Sequence, residues 1–343
     1  GPCADYVSFG GYSGEPYKKV SLLEGIRQKA GPKTEVLYAQ GCKITSNPTI
    51  PFFNWKLDEI KFPTKEENMK LIKEAVAVAS KAEVIVLAIG ENEHLCREAW
   101  AKTHIGDNMT LDLFGQQNDL VKAIMDLGKP VLVYLINGRP LSVNYMAKNA
   151  PAIIEGWYMG QQTGTAAADI IFGDVNPSGK LTITFPKSVG QIPMFYNYKP
   201  SAQAYEYLSQ DNLPLYHFGF GLSYTQFKFE NLRLEKSKIK TSGTTKVKID
   251  VTNIGSRAGD EIVQMYIRDK VSSVTRPVKE LKGFKRISLK PKETKTVTLD
   301  IGKEQLAFHN VDYKFVVEPG EFEIMVGNSS RDEDLMKTTL IVS

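Results

Sequence analysis

The first half of the chain alternates short apolar runs with longer stretches whose apolar residues recur at helical spacing. Strands are predicted at residues 34–38, 84–89, 131–136, 152–155 and 180–185. Between them, Thr64 and Glu67 form a capping-box pattern ahead of a helix that is predicted to end near Lys81. Strands and helices in strict alternation predict an α/β/α sandwich with a mostly parallel sheet.

In the second half, apolar and polar residues alternate with period two from residue 227 onward. Seven short strands are predicted at residues 246–252, 261–268, 282–289, 294–301, 315–317, 321–326 and 338–342. This pattern is typical of a β-sandwich of the immunoglobulin or fibronectin III type. No Cys–Trp–Cys spacing occurs in this half, which disfavours an antibody-type domain.

The segment between the two halves is rich in proline and tyrosine and shows no periodicity. Such a segment is expected to be extended and, because of its aromatic side chains, packed against a surface. The sequence therefore predicts three parts. They are an α/β sandwich domain that lacks its first strand (residues 1–185), a connector (residues 186–225) and a fibronectin III-like domain (residues 226–343).

Composition excludes several classes of function. The 343 residues include 43 basic and 39 acidic side chains, which give a net charge of +4. Because the basic residues form no block, nucleic acid is not an expected partner. The three cysteines and four histidines show no metal-ligand spacing, so no metal or other cofactor is expected. No apolar run approaches the ~20 residues that a membrane span needs.

Candidate chemistry concentrates in the polar loop that follows the apolar run at residues 84–89. The loop begins at Gly90 and continues to about residue 113. A loop that leaves the carboxyl end of a covered parallel strand is where open α/β sheets carry their functional residues. We therefore expect this loop to supply a catalytic carboxylic acid. The candidates are Glu91, Glu93, Glu98, Asp107 and Asp112.

Several motifs, taken in order and spacing, resemble the C-terminal half of glycoside hydrolase family 3. They are GGYS at residues 10–13, YAQGC at 38–42, the Gly90-Glu91 loop, NGRPL at 137–141, FGDVNPSGKL at 172–181 and FGFGLSYT at 218–225. The resemblance covers about the first 225 residues through its motifs. The remaining residues match the fibronectin III-like appendage of that family in pattern.

The resemblance implies a retaining exo-β-glycosidase, such as a β-glucosidase or β-xylosidase, that acts on oligosaccharides or other β-glycosides. In that family a (β/α)8 barrel comes first and carries the Asp nucleophile, while the α/β sandwich supplies the general acid/base Glu. The barrel is absent from these 343 residues, so a barrel domain in the same or a separate chain is the expected partner. The chain alone is expected to be inactive, and a periplasmic or secreted location is implied.

Within the loop, the resemblance assigns the general acid/base role to Glu98, in the stretch Cys96-Arg97-Glu98-Ala99. Trp100 and Arg97 are the expected substrate-binding residues. The alternative is a solvated Glu98 that pairs with Arg97 or with Lys102.

Glu91 and Glu93 are the fallback acids for this role. Glu91 is more readily explained as the organiser of the loop. Arg139, after the next strand, is expected to tie loop to core.

Two other classes of function remain open at this stage. The chain could be a non-catalytic carbohydrate-binding or assembly module that keeps the fold without turnover. A flavodoxin-like nucleotide-binding domain is the weaker alternative, because the chain has no glycine-rich phosphate loop.

Overall fold

A computed structural model describes residues 18–46, 60–92, 95–99, 105–200 and 207–343 of the chain. Contacts between residues divide the chain into two compact units. The first comprises residues 1–175 and 187–190, and the second comprises residues 176–186 and 191–343. The three-part division predicted from the sequence stays a prediction. In the described ranges, no helix combines the length and the apolar character that crossing a lipid bilayer requires.

A parallel sheet of three strands forms the centre of the first unit. The strands are β1 (Ile85–Gly90), β2 (Val131–Ile136) and β3 (Ala152–Glu155), hydrogen-bonded in that order. All three were predicted from their apolar runs and are confirmed. In the register of the sheet, Gly90 pairs with Ile136 and Leu135 pairs with Glu155. The three strands therefore end almost level, and the residues that follow them share one rim.

Helices cover this sheet. Those described are α1 (Leu22–Ala30), α2 (Lys65–Ala79), α3 (Gln117–Met125), α4 (Asn144–Asn149) and α5 (Thr163–Ile171). The predicted capping box at the start of α2 is confirmed. The amide of Thr64 donates to Glu67 Oε2 at 2.8 Å, and the amide of Glu67 donates to Thr64 Oγ1 at 3.2 Å. These two bonds satisfy amide donors that a helix N-terminus otherwise leaves unpaired.

Helices α1 and α5 contact each other through glycine and pack on one face of the sheet, where Leu22 and Ala167 meet the strands. A Cβ atom on Gly25 would lie 2.1 Å from the carbonyl oxygen of Gly164, and one on Gly164 would lie 1.9 Å from that of Ser21. The two backbones therefore approach more closely than any side chain permits. Lys29 of α1 also donates to Asp169 of α5 at 2.6 Å, across 140 positions of sequence.

Two predicted strands are wrong. Residues 34–38 form no strand, and Leu37 and Tyr38 are 37% and 42% exposed, so no sheet neighbour covers them. Residues 180–185 form only an isolated bridge between Phe185 and Tyr216. Their apolar residues pack in the second unit instead of extending the parallel sheet. In both places a short apolar run exists without the continuous hydrogen-bonded neighbour that makes a strand.

The second unit is a β-sandwich. A five-stranded sheet has the order β5-β13-β12-β7-β8, and a three-stranded sheet has the order β4-β6-β9. The strand bounds are β4 (Phe227–Leu234), β5 (Lys238–Ile239), β6 (Thr245–Asn253), β7 (Gly259–Asp269), β8 (Glu280–Leu289), β9 (Thr294–Ile301), β10 (Phe308–His309), β11 (Phe315–Val316), β12 (Gly320–Gly327) and β13 (Leu335–Val342). A short helix, α6 (Lys303–Leu306), follows β9, and β10 pairs with β11. The inward-facing residues of both sheets, such as Val251, Val263 and Ile324, form one buried core.

The seven strands predicted in this half are confirmed, and β4, β5 and β10 were missed. Strand β4 shifts register between Glu230 and Arg233, and Asn231 has a φ of 55°. This bulge interrupts the period-two pattern that marks a strand in sequence. Strands β5 and β10 have two residues each, which is too short for any periodicity.

The five-stranded sheet also carries a small apolar cluster on its outer face, formed by Tyr266, Met325 and Leu335. Tyr196 and Phe218 of the proline- and tyrosine-rich segment pack against it, and their rings stack with centroids 4.2 Å apart. The prediction that the aromatic residues of this segment pack against a surface is confirmed for these two rings.

Candidate active site

The rim of the parallel sheet begins at a turn that only glycine can make. Gly90 has a φ of 143°, and a Cβ atom there would lie 1.9 Å from the carbonyl oxygen of Ile136. The buried side-chain amide of Gln117 clamps this residue, accepting from the Gly90 amide and donating to its carbonyl, both at 2.8 Å. The end of β1 is therefore fixed by backbone contacts before any charged residue is reached.

Glu91, the next residue, is fully buried and forms a bidentate ion pair with Arg139. Arg139 Nη2 donates to Glu91 Oε1 at 2.6 Å, and Nε donates to Oε2 at 2.9 Å. The remaining Nη1 donates to the carbonyl of Thr110 at 2.7 Å. The structural tie predicted for Arg139 is thus observed, and it joins the ends of β1 and β2 to the returning loop. Since both oxygens of Glu91 accept from a guanidinium, its geometry favours the organising role over that of a proton donor.

Hydrogen bonds of Cys96 and Arg97 hold the carboxylate loop immediately before Glu98. Cys96 Sγ donates to the carbonyl of Asn92 at 3.3 Å and lies 3.2 Å from Tyr158 Oη. Arg97 Nε donates to the carbonyl of Ile105 at 2.9 Å, and the carbonyl of Arg97 accepts from the amide of Asp107 at 2.7 Å. These bonds close the loop on itself and fix the backbone immediately before Glu98.

Glu98 itself is exposed, in contrast to the pinned residues before it. It makes no hydrogen bond or ion pair with any other residue that the structure describes. The alternative pairing with Arg97 is not observed, because the Arg97 Nε–H is directed to a backbone carbonyl. Glu98 therefore presents a carboxylate to its surroundings from a backbone that its neighbours hold in place.

Three of the sequence predictions for this loop cannot be compared with the structure. Glu93, Trp100 and the Lys102 alternative lie outside the described residues. Arg97 is described, and its hydrogen bonds serve the loop backbone, so its role as a substrate contact stays a prediction. The general acid/base role of Glu98 likewise stays a prediction.

Sequence reasoning missed a third glutamate on the same rim. Glu155, the last residue of β3, accepts from Asn137 Nδ2 at 3.2 Å and from the amide of Trp157 at 3.1 Å. It forms no ion pair with any described residue. Burial without a counter-charge raises the pKa of Glu155 to about 7, although the two hydrogen bonds oppose the shift. At neutral pH this carboxyl group is therefore partly protonated.

The backbone conformation of the turn after Glu155 is constrained at both Gly156 and Trp157. Trp157 has a φ of 50°, which a bulky residue rarely adopts. A Cβ atom on Gly156 would lie 2.6 Å from Tyr134 Oη, so only glycine fits between Glu155 and Trp157. The hydrogen bond that the backbone amide of Trp157 donates to Glu155 Oε1 supports this turn. The signal in the sequence was a glutamate at the very end of an apolar run, the same signal that pointed to Glu91.

The rim thus carries three carboxyl groups in three different settings. Glu91 is paired with a guanidinium, Glu155 is half-buried among neutral donors, and Glu98 is exposed. The described residues contain no cluster of three His, Cys, Asp or Glu side chains that could hold a metal ion. Carboxyl groups can serve as general acids or bases, and Glu98 is the exposed one of the three.

Comparison with known families gives two matches along the chain. Residues 1–224 match the model of the glycosyl hydrolase family 3 C-terminal domain. Residues 261–330 match a fibronectin type III-like domain. The first match contains the parallel sheet and its rim, and the second lies in the β-sandwich.

Several characterised proteins are similar over nearly the whole chain. A β-xylosidase of Formosa agariphila is 46% identical over 340 residues, which are 98% of this chain and 43% of that protein. A periplasmic β-glucosidase of Salmonella typhimurium is 39% identical over 96% of this chain and 44% of its own length. The solved structure of a β-glucosidase from Erythrobacter marinus superposes with a TM-score of 0.93 at 42% identity, covering all of this chain and 46% of its own. The chain thus spans less than half the length of these relatives.

Proposed function

Because this chain belongs to glycosyl hydrolase family 3, we propose that it is the acid/base half of a retaining exo-β-glycosidase. In this proposal Glu98 is the general acid/base, and the Asp nucleophile belongs to a (β/α)8 barrel domain. The substrates are β-glucosides or β-xylosides, the two classes named for the relatives. A periplasmic or secreted location belongs to the same proposal, since one relative is named as periplasmic.

One observation carries this proposal: an exposed carboxylate follows a backbone segment that several hydrogen bonds hold rigid. Retaining hydrolysis needs two carboxyl groups about 5–5.5 Å apart, one that attacks the sugar and one that transfers the proton. A proton donor on a mobile loop would not hold that separation. The hydrogen bonds of Cys96 and Arg97 support this proposal because they hold the residues immediately before Glu98.

The proposed reaction uses Glu98 twice. It first protonates the leaving-group oxygen while the barrel aspartate forms a covalent bond to the anomeric carbon. After the aglycone leaves, the resulting carboxylate of Glu98 removes a proton from water, which attacks the glycosyl-enzyme and releases the sugar with its original configuration. Glu91 and Arg139 take no part in proton transfer and keep the loop in place.

The test combines the 343-residue chain with a barrel domain of a family member and follows hydrolysis of 4-nitrophenyl β-glucoside and β-xyloside. Neither part alone is expected to turn over substrate, whereas the combination should. Glu98→Gln should then lower kcat by about 10²–10⁴, because the water that attacks the glycosyl-enzyme is no longer deprotonated and the leaving group is no longer protonated. Glu83→Gln, an exposed glutamate just before β1, is the matched control and should leave kcat unchanged.

A change of leaving group separates acid catalysis from a loss of structure. A 2,4-dinitrophenyl glycoside departs without protonation, so the first step of the Glu98→Gln variant should be nearly as fast as that of the wild-type combination. A full rate for Glu98→Gln on the 4-nitrophenyl substrates would show that the acid is another residue. Sugar binding without turnover by any combination would favour the non-catalytic carbohydrate-binding module.

A further inference from the structure

Residues that follow all three strands of the parallel sheet meet at one atom, the sulfur of Cys96. Asn92 follows β1, Gly138 follows β2 and Tyr158 follows β3. Cys96 Sγ lies 3.3 Å from the carbonyl oxygen of Asn92 and 3.2 Å from Tyr158 Oη. A Cβ atom on Gly138 would lie 3.4 Å from the same sulfur. The three strand ends therefore converge on a side chain that lies two residues before Glu98.

The hydrogen bonds at Cys96 have one consistent direction. Burial raises the pKa of its thiol, although Tyr158 and the backbone amide of Gly138 oppose the shift, so the sulfur keeps its proton at neutral pH. The carbonyl of Asn92 can only accept and therefore receives the S–H. The hydroxyl of Tyr158 must then donate to the sulfur. Two consecutive bonds run from Tyr158 through Cys96 to the end of β1, and each strengthens the other.

Tyr158 is suited to hold the sulfur because its own position is fixed. Its ring packs against the buried cluster that contains Tyr134 of β2. A Cβ atom on Gly138 would lie 2.8 Å from Tyr158 Cε2, so the ring lies directly on the backbone there. The turn before it is constrained at Gly156 and Trp157. A well-supported ring therefore presents its hydroxyl to the carboxylate loop.

We propose that Tyr158 is a positioning residue of Glu98 and that it acts through Cys96. This inference rests on the proposed function, because it needs Glu98 to be the proton donor. A general acid must lie within hydrogen-bond reach of the leaving group, and a misplacement of about 1 Å can lower a rate by about 10²-fold. Since Glu98 has no hydrogen-bond or ion-pair partner among the described residues, its placement depends on the backbone before it, which Tyr158 holds through the sulfur.

Tyr158→Phe tests this role, because it keeps the ring and removes only the hydroxyl. When the 343-residue chain is combined with a barrel domain, kcat/KM on the 4-nitrophenyl glycosides should fall about tenfold. On a 2,4-dinitrophenyl glycoside, which departs without protonation, kcat/KM should stay within about twofold of the wild type. A tyrosine that served only stability or association with the barrel would lower both values equally. Tyr145→Phe, at an exposed tyrosine of α4, is the matched control and should change neither.

A double variant tests whether the effect passes through the sulfur. Cys96→Ala removes both hydrogen bonds and should lower the 4-nitrophenyl kcat/KM at least as much as Tyr158→Phe, with the 2,4-dinitrophenyl value again preserved. The double variant Cys96→Ala/Tyr158→Phe should then equal Cys96→Ala within about twofold, since the hydroxyl has no sulfur left to hold. Cys42→Ala removes another free thiol, buried in the same unit, and should behave like the wild type.

Amide hydrogen exchange gives a readout on the 343-residue chain by itself. The amide of Leu95 donates to the carbonyl of Asn92 at 3.0 Å, the same carbonyl that receives the thiol proton. In Tyr158→Phe this amide should exchange at least about fivefold faster than in the wild type, because the loop opens more often. The amide of Glu91 donates to the carbonyl of Ile136 within the sheet and should exchange at an unchanged rate.

Three results would overturn the inference. They are a 4-nitrophenyl kcat/KM of Tyr158→Phe that matches the wild type or falls together with the 2,4-dinitrophenyl value, a double variant whose losses add, and an unchanged exchange rate at Leu95. Failure of the proposed function has a different signature, because Glu98→Gln would then keep its full rate, and the positioning role would be overturned with it. An expected loss for Glu98→Gln without one for Tyr158→Phe would refute the positioning role alone.

Discussion

The ends of β1 and β3 carry the same side chain in opposite electrical settings. Glu91 follows β1 and receives two hydrogen bonds from the guanidinium of Arg139. Glu155 ends β3 and receives hydrogen bonds only from the amide groups of Asn137 and Trp157. Glu91 is fully buried and Glu155 is half-buried, and among the described residues only Glu91 has a counter-ion. Burial at a strand end therefore does not by itself decide the charge of a glutamate; the neighbouring cation does.

Removal of the counter-ion from Glu91 should have the largest effect. Arg139→Met leaves a fully buried carboxylate unpaired, and the free energy of unfolding should fall by about 3–5 kcal/mol. Urea unfolding at pH 7 measures this loss. The double variant Glu91→Met/Arg139→Met should recover most of it, because two apolar side chains need no compensation. A loss below about 1 kcal/mol for the single variant would mean that Glu91 is not held as a buried ion pair.

Substitution of Glu155 should raise the free energy of unfolding instead of lowering it, and the size of this change should depend on pH. The pKa is raised from 4.5 to about 7, so between these pH values the folded chain keeps a proton that the unfolded chain has lost. The contribution of Glu155 to stability is therefore most favourable below pH 4.5, falls as the pH rises, and reaches its full cost above pH 7. Glu155→Gln should thus stabilise the chain at pH 8 by about 1–3 kcal/mol and have little effect at pH 4.5.

The measurement is urea unfolding of wild type and Glu155→Gln at several pH values from 4.5 to 8. Glu91→Gln is the matched control. It should destabilise the chain at pH 8, because it leaves Arg139 without its carboxylate. If both glutamine variants changed stability in the same direction at pH 8, the contrast between the two strand ends would be refuted.

The smallest effect on the free energy of unfolding is expected for the contact between the residues that follow β3 and the carboxylate loop that follows β1. Tyr158 lies three residues after Glu155, and its Oη contacts Cys96 in the carboxylate loop. Tyr158→Phe should lower the free energy of unfolding by about 0.5–1 kcal/mol, the range of one hydrogen bond. The titration of Glu155, followed by ¹³C NMR of its carboxyl carbon, should not move. A shift of that titration would show that the two strand ends are electrically coupled.

The order of the elements and the location of the rim could be predicted from the sequence. A short apolar run such as residues 131–136 forms few structures other than a buried strand. Thr64 and Glu67 mark the start of a helix through contacts between residues that are close in sequence. The predicted strands that are not observed are those whose formation depends on a partner strand from a distant part of the chain. Residues 34–38 have a strand-like composition but no strand beside them, and composition cannot reveal that absence.

The candidate site was less predictable than the fold, because the setting of its residues also depends on contacts between distant parts of the chain. Arg139 could be predicted to tie the loop to the core because it follows a neighbouring strand end, but its pairing with Glu91 is known only from the structure. The raised pKa of Glu155 depends on the absence of a cation nearby, and that depends on the whole fold. The resemblance to the family directed attention to Glu98 and away from Glu155, whose position after an apolar run was equally visible.

The glycine contact between α1 and α5 also constrains the order in which the chain can fold. Helix α1 is synthesised before α5, and Gly164, against which Gly25 packs, follows about 140 residues later. Until then the apolar face of α1 has no partner in α5, and nine residues are too few to hold a stable helix in water. Docking of α1 is therefore a late, long-range event that raises the contact order of this unit and slows its folding. Gly25→Ala would block that docking step and leave the earlier ones intact.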